Sequence, residues 1–220
     1  MFQNRTAAGR ELALALARYR GQPNVIFALP HGGVVLGAEI ARFLEAPLDL
    51  IVVRKIGHPQ QPEFAIGAVA EDGEAIRNPA EPVVQDSVWF NRAAELAKAE
   101  AHRQRELFLG NRNPIPVQEK NAIIVDDGVA TGYTMLAAIR EIRKKSPQRI
   151  IVAVPVAAPE IAERIRHEVD DLVVLHIPHW LSAVGAFYDE FDQVSDKEVI
   201  RLMQVPLPTG EGGQRPGEGA

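Results

Sequence analysis

Cysteine is absent from the 220 residues, which rules out disulfides, iron–sulfur clusters and thiolate zinc sites. Aromatic residues make up only 6%, so the few that stand near candidate binding segments carry weight. No sign of charge dominates: 24 Lys and Arg are interspersed with 29 Asp and Glu, for a net charge of −5. That leaves no basic footprint for nucleic acid and no polybasic membrane patch. No apolar run reaches the length of a membrane span, and the first residues lack the charged-then-apolar order of a secretory signal. A cytoplasmic protein is the expectation. What is present is a hydrophobic content of 46% with 24% charged residues, the balance of a globular chain long enough for one domain with a substantial core.

Apolar segments set the organisation. Gly9 to Tyr19 places Leu12, Leu16 and Tyr19 at helical period. Asn24 to Leu29 is a short buried strand that breaks at Pro30, Gly33 to Glu45 reads as a helix, and Leu48 to Val53 is a second strand. That order is a parallel crossover unit. Gly57 to Glu63, rich in proline and glutamine, is expected to be a mobile loop. Ala65 to Ala70 and Glu74 to Arg77 suit a hairpin across Asp72-Gly73. Trp89 to Leu109 reads as a long charged helix, Ala122 to Val125 as a strand, and Tyr133 to Lys145 as a helix. Arg149 to Val154 is a strand, Pro159 to Glu168 a helix opened by proline, and Leu172 to Ile177 a last central strand.

The expected fold is α/β, a largely parallel central sheet flanked by helices over residues 1–205, with a small C-terminal hood from about 177–203. Residues 206–220 are glycine- and proline-rich and are expected to be disordered. Sites in parallel sheets lie beyond the carboxyl ends of the strands. Pro30 to Gly33, Arg54 to Gly57 and Asp126 to Thr134 all follow strand ends and should converge on one crevice.

The third of these segments carries the most chemistry. Ile123 to Met135 runs from a buried strand into two adjacent carboxylates, then a loop of small residues, then a helix. Small side chains at Gly128, Ala130 and Gly132 let backbone N–H groups approach a phosphate dianion. The hydroxyls of Thr131 and Thr134 can donate to its oxygens, and the helix N-terminus adds partial positive charge. Asp126 and Asp127 can accept from ribose hydroxyls or orient water on a bound Mg²⁺.

This stretch resembles the phosphoribosyl pyrophosphate (PRPP) signature of the type I phosphoribosyltransferases: apolar strand, two acids, then Gly-x-Ala-Thr-Gly-x-Thr. The chain is similar throughout residues 2–203 to a group of bacterial phosphoribosyltransferases. The features are Arg5-x-x-Ala8-Gly9-Arg10, Leu29-Pro-His-Gly-Gly33, Val53-Arg-Lys-Ile-Gly57, Glu63-Phe-Ala-Ile-Gly-Ala68 and Ala183-Val-Gly-x-Phe-Tyr-x-x-Phe191. The resemblance implies transfer of a phosphoribosyl group from PRPP to a nitrogenous acceptor, with Mg²⁺ as cofactor held at Asp126 and Asp127. Gly128, Val129, Ala130, Thr131, Gly132, Tyr133 and Thr134 would hold the 5′-phosphate, and Pro30, His31, Gly32 and Gly33 the pyrophosphate. His31 stands where this family often has Arg or Lys, commonly beside a non-proline cis peptide.

Arg54 and Lys55 are the candidates for countering charge on the leaving pyrophosphate. His58 and Glu63 fall in the segment resembling the family's flexible loop, and Trp180, Phe187 and Tyr188 are candidates to stack on the acceptor, with Asp189 or Asp192 bonding to it. Where 6-oxopurine-specific members carry an aspartate, this chain has Ala130, which argues against that mode of base recognition. His176 and His179 lack a third ligand at usable spacing. A hydrolase oxyanion loop would need a Gly-x-Ser-x-Gly elbow, which none of Ser87, Ser146, Ser182 and Ser195 supplies, and the dinucleotide Gly-x-Gly-x-x-Gly turn is missing as well. The alternative is a non-catalytic regulator that senses PRPP or a nucleotide on the same fold. The sequence leaves the acceptor and the oligomeric state, a homodimer included, open.

Overall fold

The computed structural model describes residues 1–85 and 87–204, the side chains of 62, 63, 84, 85 and 87 excepted. The tail over 206–220 and the Glu63 side chain therefore lie outside the described residues. In chain order the elements are α1 (Arg5–Ala15), β1 (Asn24–Ala28), α2 (Gly32–Leu44), β2 (Leu48–Leu50), β3 (Val53–His58), β4 (Gln61–Ala70) and β5 (Ile76–Arg77). They continue with α3 (Ser87–Leu109), β6 (Asn121–Val125), α4 (Tyr133–Lys144), β7 (Arg149–Val156), α5 (Pro159–Arg166), β8 (Asp171–His176) and α6 (Asp196–Met203).

Five strands form one parallel sheet in the order β2-β1-β6-β7-β8. Its central strands are buried along their whole length, because side chains alternate between two covered faces. Ile26 and Ala28 of β1 join Ile123 and Val125 of β6 in a core beneath α1 and α2, with Val199 and Met203 of α6. Val25, Phe27, Ala122 and Ile124 point the other way, into a core with Met135, Ile139 and Ile142 of α4. Each face is a sheet-on-helix layer, as expected of an α/β domain.

α1 begins earlier than the helical period suggests. Asn4 caps it by accepting from the N–H of Ala7 at 3.0 Å, so Arg5 enters the first turn. Buried Ala8, Gly9, Leu12 and Ala13 seat the helix on α2.

Three expectations are corrected. Leu48 to Val53 is not one strand: pairing to β1 ends at Leu50, and β3 opens a separate antiparallel sheet β3-β4-β5. Ile51 and Val52 are buried on both sides of the break, so the apolar run conceals it. The expected mobile loop over 57–63 is mostly hairpin, with His58 paired to Gln61 after a register shift at Gly57. Proline and glutamine there mark a tight turn at Pro59 and Gln60 with irregular pairing, which β-propensity alone does not reveal. Finally, β8 is an edge strand. The β4–β5 hairpin forms as expected, pairing Ala68 with Ile76. No helix among the described residues is long and apolar enough to cross a membrane.

Candidate functional site

β1 leads to β2 on one side of the sheet, while β6 leads to β7 on the other. The order reverses between β1 and β6, and the crevice beyond their carboxyl ends is where such sheets take ligands. A cavity of about 610 Å³ opens there. Pro30, His31 and Gly32 reach it from the end of β1, and Asp126 to Gly132 with Thr134 from the end of β6. Arg54 and Lys55 line it from β3, inside that strand and not at the end of one in the main sheet.

The two rim loops touch. The Asp127 carboxylate lies over Gly32 so closely that a Cβ built there would stand 1.9 Å from Asp127 Oδ2. Only glycine admits this approach. The same oxygen accepts from Nε of Arg5 at 2.8 Å, with the two side chains 12% and 18% exposed. Asp126 Oδ1 accepts from the N–H of Asp127 at 2.9 Å. Burial, and then the adjacent Asp127 charge, push the Asp126 carboxyl well above its ordinary range, although Lys55 and Arg5 pull against them. Arg5 and Lys55 are thus the cations of the cavity wall whose charge acts on this acidic pair.

Gly132 takes the left-handed region at φ 78° and opens α4, placing the helix N-terminus at the cavity. Thr131 is exposed and Thr134 partly so. The Pro30–His31 peptide is cis, and α2 starts one residue later. The His31 imidazole is turned toward α6, with Nε2 2.7 Å from Asp196 Oδ1 and its ring edge-on to Phe108.

Some expected residues are elsewhere. Gly33 is buried against the carbonyl of Val125. Tyr133 and His58 do not line the cavity; Nδ1 of His58 accepts from the N–H of Gln60 at 3.2 Å, within the turn. Trp180 is 83% exposed and away from the cavity. Phe187 packs against the core beneath α1 and α2. Tyr188 is buried and cannot stack on an acceptor; its phenol donates to the main-chain carbonyl of Asp127 at 2.6 Å. Burial, with the charge of Asp127, raises that phenol above its ordinary value. The hood wall is formed instead by Val184 and Phe191.

Arg5 is a cavity-lining residue that sequence chemistry does not anticipate. It lay in a shared motif but on a helix remote in sequence from either loop, and nothing in its local pattern points to Asp127. Phe191 was missed for the same reason, its ring lying 3.7 Å beneath the Arg5 guanidinium.

Among the described residues no group of three or more His, Asp or Glu side chains is placed to hold a metal. Asp126 and Asp127 supply at most a partial shell. That donor set fits magnesium arriving with a phosphate ligand and keeping its own waters, and no dedicated protein cage.

A sequence profile of the phosphoribosyl transferase domain matches residues 2–189. A Mycobacterium tuberculosis protein provisionally named a phosphoribosyl transferase is 39% identical over 207 residues, covering 92% of this chain and 46% of that protein. The chain thus spans about half the length of the curated relatives it matches. A crystal structure of a Thermus thermophilus protein has a TM-score of 0.78 at 39% identity, covering 92% of this chain and 97% of that one. A uracil phosphoribosyltransferase of Bradyrhizobium diazoefficiens is 35% identical over 79 residues, 36% of this chain and 35% of that protein. A profile match over nearly the whole described chain joins a parallel sheet whose switch point gathers two acids and two glycine loops: the chain belongs to the phosphoribosyl transferase domain family.

Proposed function

We propose that this domain transfers the phosphoribosyl group of PRPP to a nitrogenous acceptor and releases pyrophosphate. The observation that carries the reading is the contact of the two rim loops through Gly32 and Asp127 over one cavity. A sugar with phosphates at both ends needs two anion cradles with hydroxyl acceptors between them, and this is that order of parts.

The 5′-phosphate lies in the loop from Gly128 to Thr134, bonded by backbone N–H groups and the hydroxyls of Thr131 and Thr134 at the start of α4. Asp126 and Asp127 hold the ribose hydroxyls, directly or through water. Pyrophosphate rests on the turn from His31 to Gly33, where α2 begins, and Arg54 and Lys55 oppose its charge. Asp126 and Asp127 would hold magnesium through its waters, and the metal would supply positive charge to the leaving diphosphate. The acceptor nitrogen forms its bond to the ribose C1 with its lone pair, while the electrons of the C1–O bond leave with pyrophosphate. The protein's share is positioning and electrostatic stabilisation.

The acceptor meets Val53, Met135, Val184 and Phe191, an apolar wall suited to a planar ring. Ala130 offers no carboxylate to a purine, and the uracil relative makes uracil the first base to test.

Calorimetric titration of PRPP with and without Mg²⁺ tests the site, and pyrophosphate release with a panel of bases tests the chemistry. Micromolar, metal-dependent binding followed by release is the expected result; no binding at millimolar PRPP ends the reading. Tight binding with no release for any base would favour a PRPP sensor, the alternative that the engagement of His31 by Asp196 suits.

A further inference from the structure

Arg5 is held in an unusual way for a residue that only anchors a helix. Nε donates to Asp127 at 2.8 Å and Nη1 to the main-chain carbonyl of Asp192 at 2.6 Å. One face of the guanidinium is covered by Phe191. Nη2 has no acceptor among the described residues, and the side chain lines the cavity. A guanidinium carries five N–H donors in a fixed fork, so the fork here is oriented with donors to spare on its open side.

Its location defines which ligand group those donors meet. Arg5 Nε would stand 2.8 Å from a Cβ at Gly32, so the guanidinium lies against the turn read above as the pyrophosphate cradle. The side chain on the turn itself that can carry positive charge, His31, is engaged by Asp196. Arg54 and Lys55 approach from the three-stranded sheet. Arg5 is the cation that the main-sheet side of the cradle has available.

We infer that Arg5 is a pyrophosphate-binding residue of this site, and that its ion pair with Asp127 is exchanged for ligand contacts when the diphosphate enters. The inference rests on the phosphoribosyl transfer reading. In the structure the guanidinium and the carboxylate are paired with each other. A metal diphosphate brings an anion to Arg5 and a cation to Asp127, so both charges keep partners. Metal-free diphosphate would satisfy Arg5 but leave Asp127 facing an anion, and binds more weakly for that reason.

The test is calorimetric titration of magnesium pyrophosphate and, separately, ribose 5-phosphate into the wild-type chain, Arg5→Gln and Arg5→Lys, with thermal unfolding of each. Arg5→Gln is expected to lose about tenfold or more in pyrophosphate affinity while ribose 5-phosphate changes by less than about twofold. Arg5→Lys keeps the charge without the fork and should fall between them. Equal loss for both ligands would overturn the inference, since Arg5 would then act only by positioning Asp127. No loss for either would overturn it too, as would failure of both variants to fold, which would make Arg5 a structural anchor. Wild-type protein that binds neither ligand would overturn the phosphoribosyl transfer reading itself, and this inference with it. Ribose 5-phosphate binding without pyrophosphate binding would overturn the inference alone.

Discussion

The phenol of Tyr188 donates to the main-chain carbonyl of Asp127 at 2.6 Å, which fastens the C-terminal segment to the acidic end of the loop proposed to cradle the phosphate. Tyr188 is also packed against Phe2 and Phe191, so its ring is fixed independently of that bond. Tyr188→Phe should therefore keep the packing and lose only the hydroxyl. The expected cost is about 1 to 2 kcal/mol of stability, because a part-buried carbonyl is left without its donor. A drop of a few fold in PRPP affinity should accompany it as the loop loosens. Thermal unfolding and calorimetry on the same preparation would check both, and an unchanged melting temperature would show that water replaces the phenol.

Gly32→Ala makes a sharper demand. The new methyl would overlap the Asp127 carboxylate at 1.9 Å and its Cγ at 2.6 Å, and the carboxylate must leave. The residue begins α2, where alanine is well tolerated by the helix itself. The expected outcome is a folded protein with PRPP affinity reduced by about a hundredfold, as expected for loss of charge-assisted contacts to a ligand. Near-normal affinity would mean that Asp127 is not needed in its present place.

The sequence made the cavity-lining loop from Asp126 to Thr134 readable because its chemistry is contiguous: acids, small residues and hydroxyls stand within one strand-to-helix turn. The parallel sheet was readable for a similar reason, its strands being continuous apolar runs such as Asn121 to Val125. What was hidden came from tertiary contact. The split between β2 and β3 falls inside one apolar run, Ile51-Val52, where burial continues although the hydrogen-bond partner changes. Arg5 meets Asp127 across 122 positions of sequence. Among the hood aromatics, composition could not tell that Tyr188 turns inward and Phe191 toward the cavity.

That sorting of the aromatics is testable. Phe191 covers one face of the Arg5 guanidinium and forms cavity wall, whereas Trp180 does neither. A guanidinium over an aromatic face is worth about 0.5 to 2 kcal/mol. Phe191→Ala should lower magnesium–PRPP affinity by about twofold to thirtyfold on that basis. Trp180→Ala should leave it unchanged. The reverse pattern in a calorimetric comparison would make Trp180, and not Phe191, the aromatic side chain that acts on bound PRPP, and would require this segment to rearrange when ligand binds.

The buried Glu71 gives the fold a pH dependence distinct from the site. Only 3% of the residue is exposed. One carboxylate oxygen accepts from Arg105 at 3.2 Å, while the other has no partner among the described residues. Burial raises its pKa from 4.5 to about 7, against the pull of Arg105 and Lys145 and with a push from Asp72 and Asp49. A group whose folded pKa lies above its unfolded value binds more protons in the folded chain. Its favourable contribution is full below about pH 4.5 and is lost as pH rises through about 7. The loss amounts to about 3 kcal/mol at most. Glu71→Gln removes the charge but leaves Arg105 its contacts to Asp49 at 3.1 Å and to the carbonyl of Leu50 at 2.8 Å. The variant should gain about 1 to 2 kcal/mol at pH 8, less than the full amount because its amide leaves N–H donors unpaired. Its advantage should shrink toward pH 5, where Glu71 is already largely protonated in the wild type. Thermal unfolding at the two pH values separates the outcomes. A variant less stable than wild type at pH 8 would mean that the Arg105 pair outweighs the desolvation of Glu71, so that burial does not raise its carboxyl above the ordinary range.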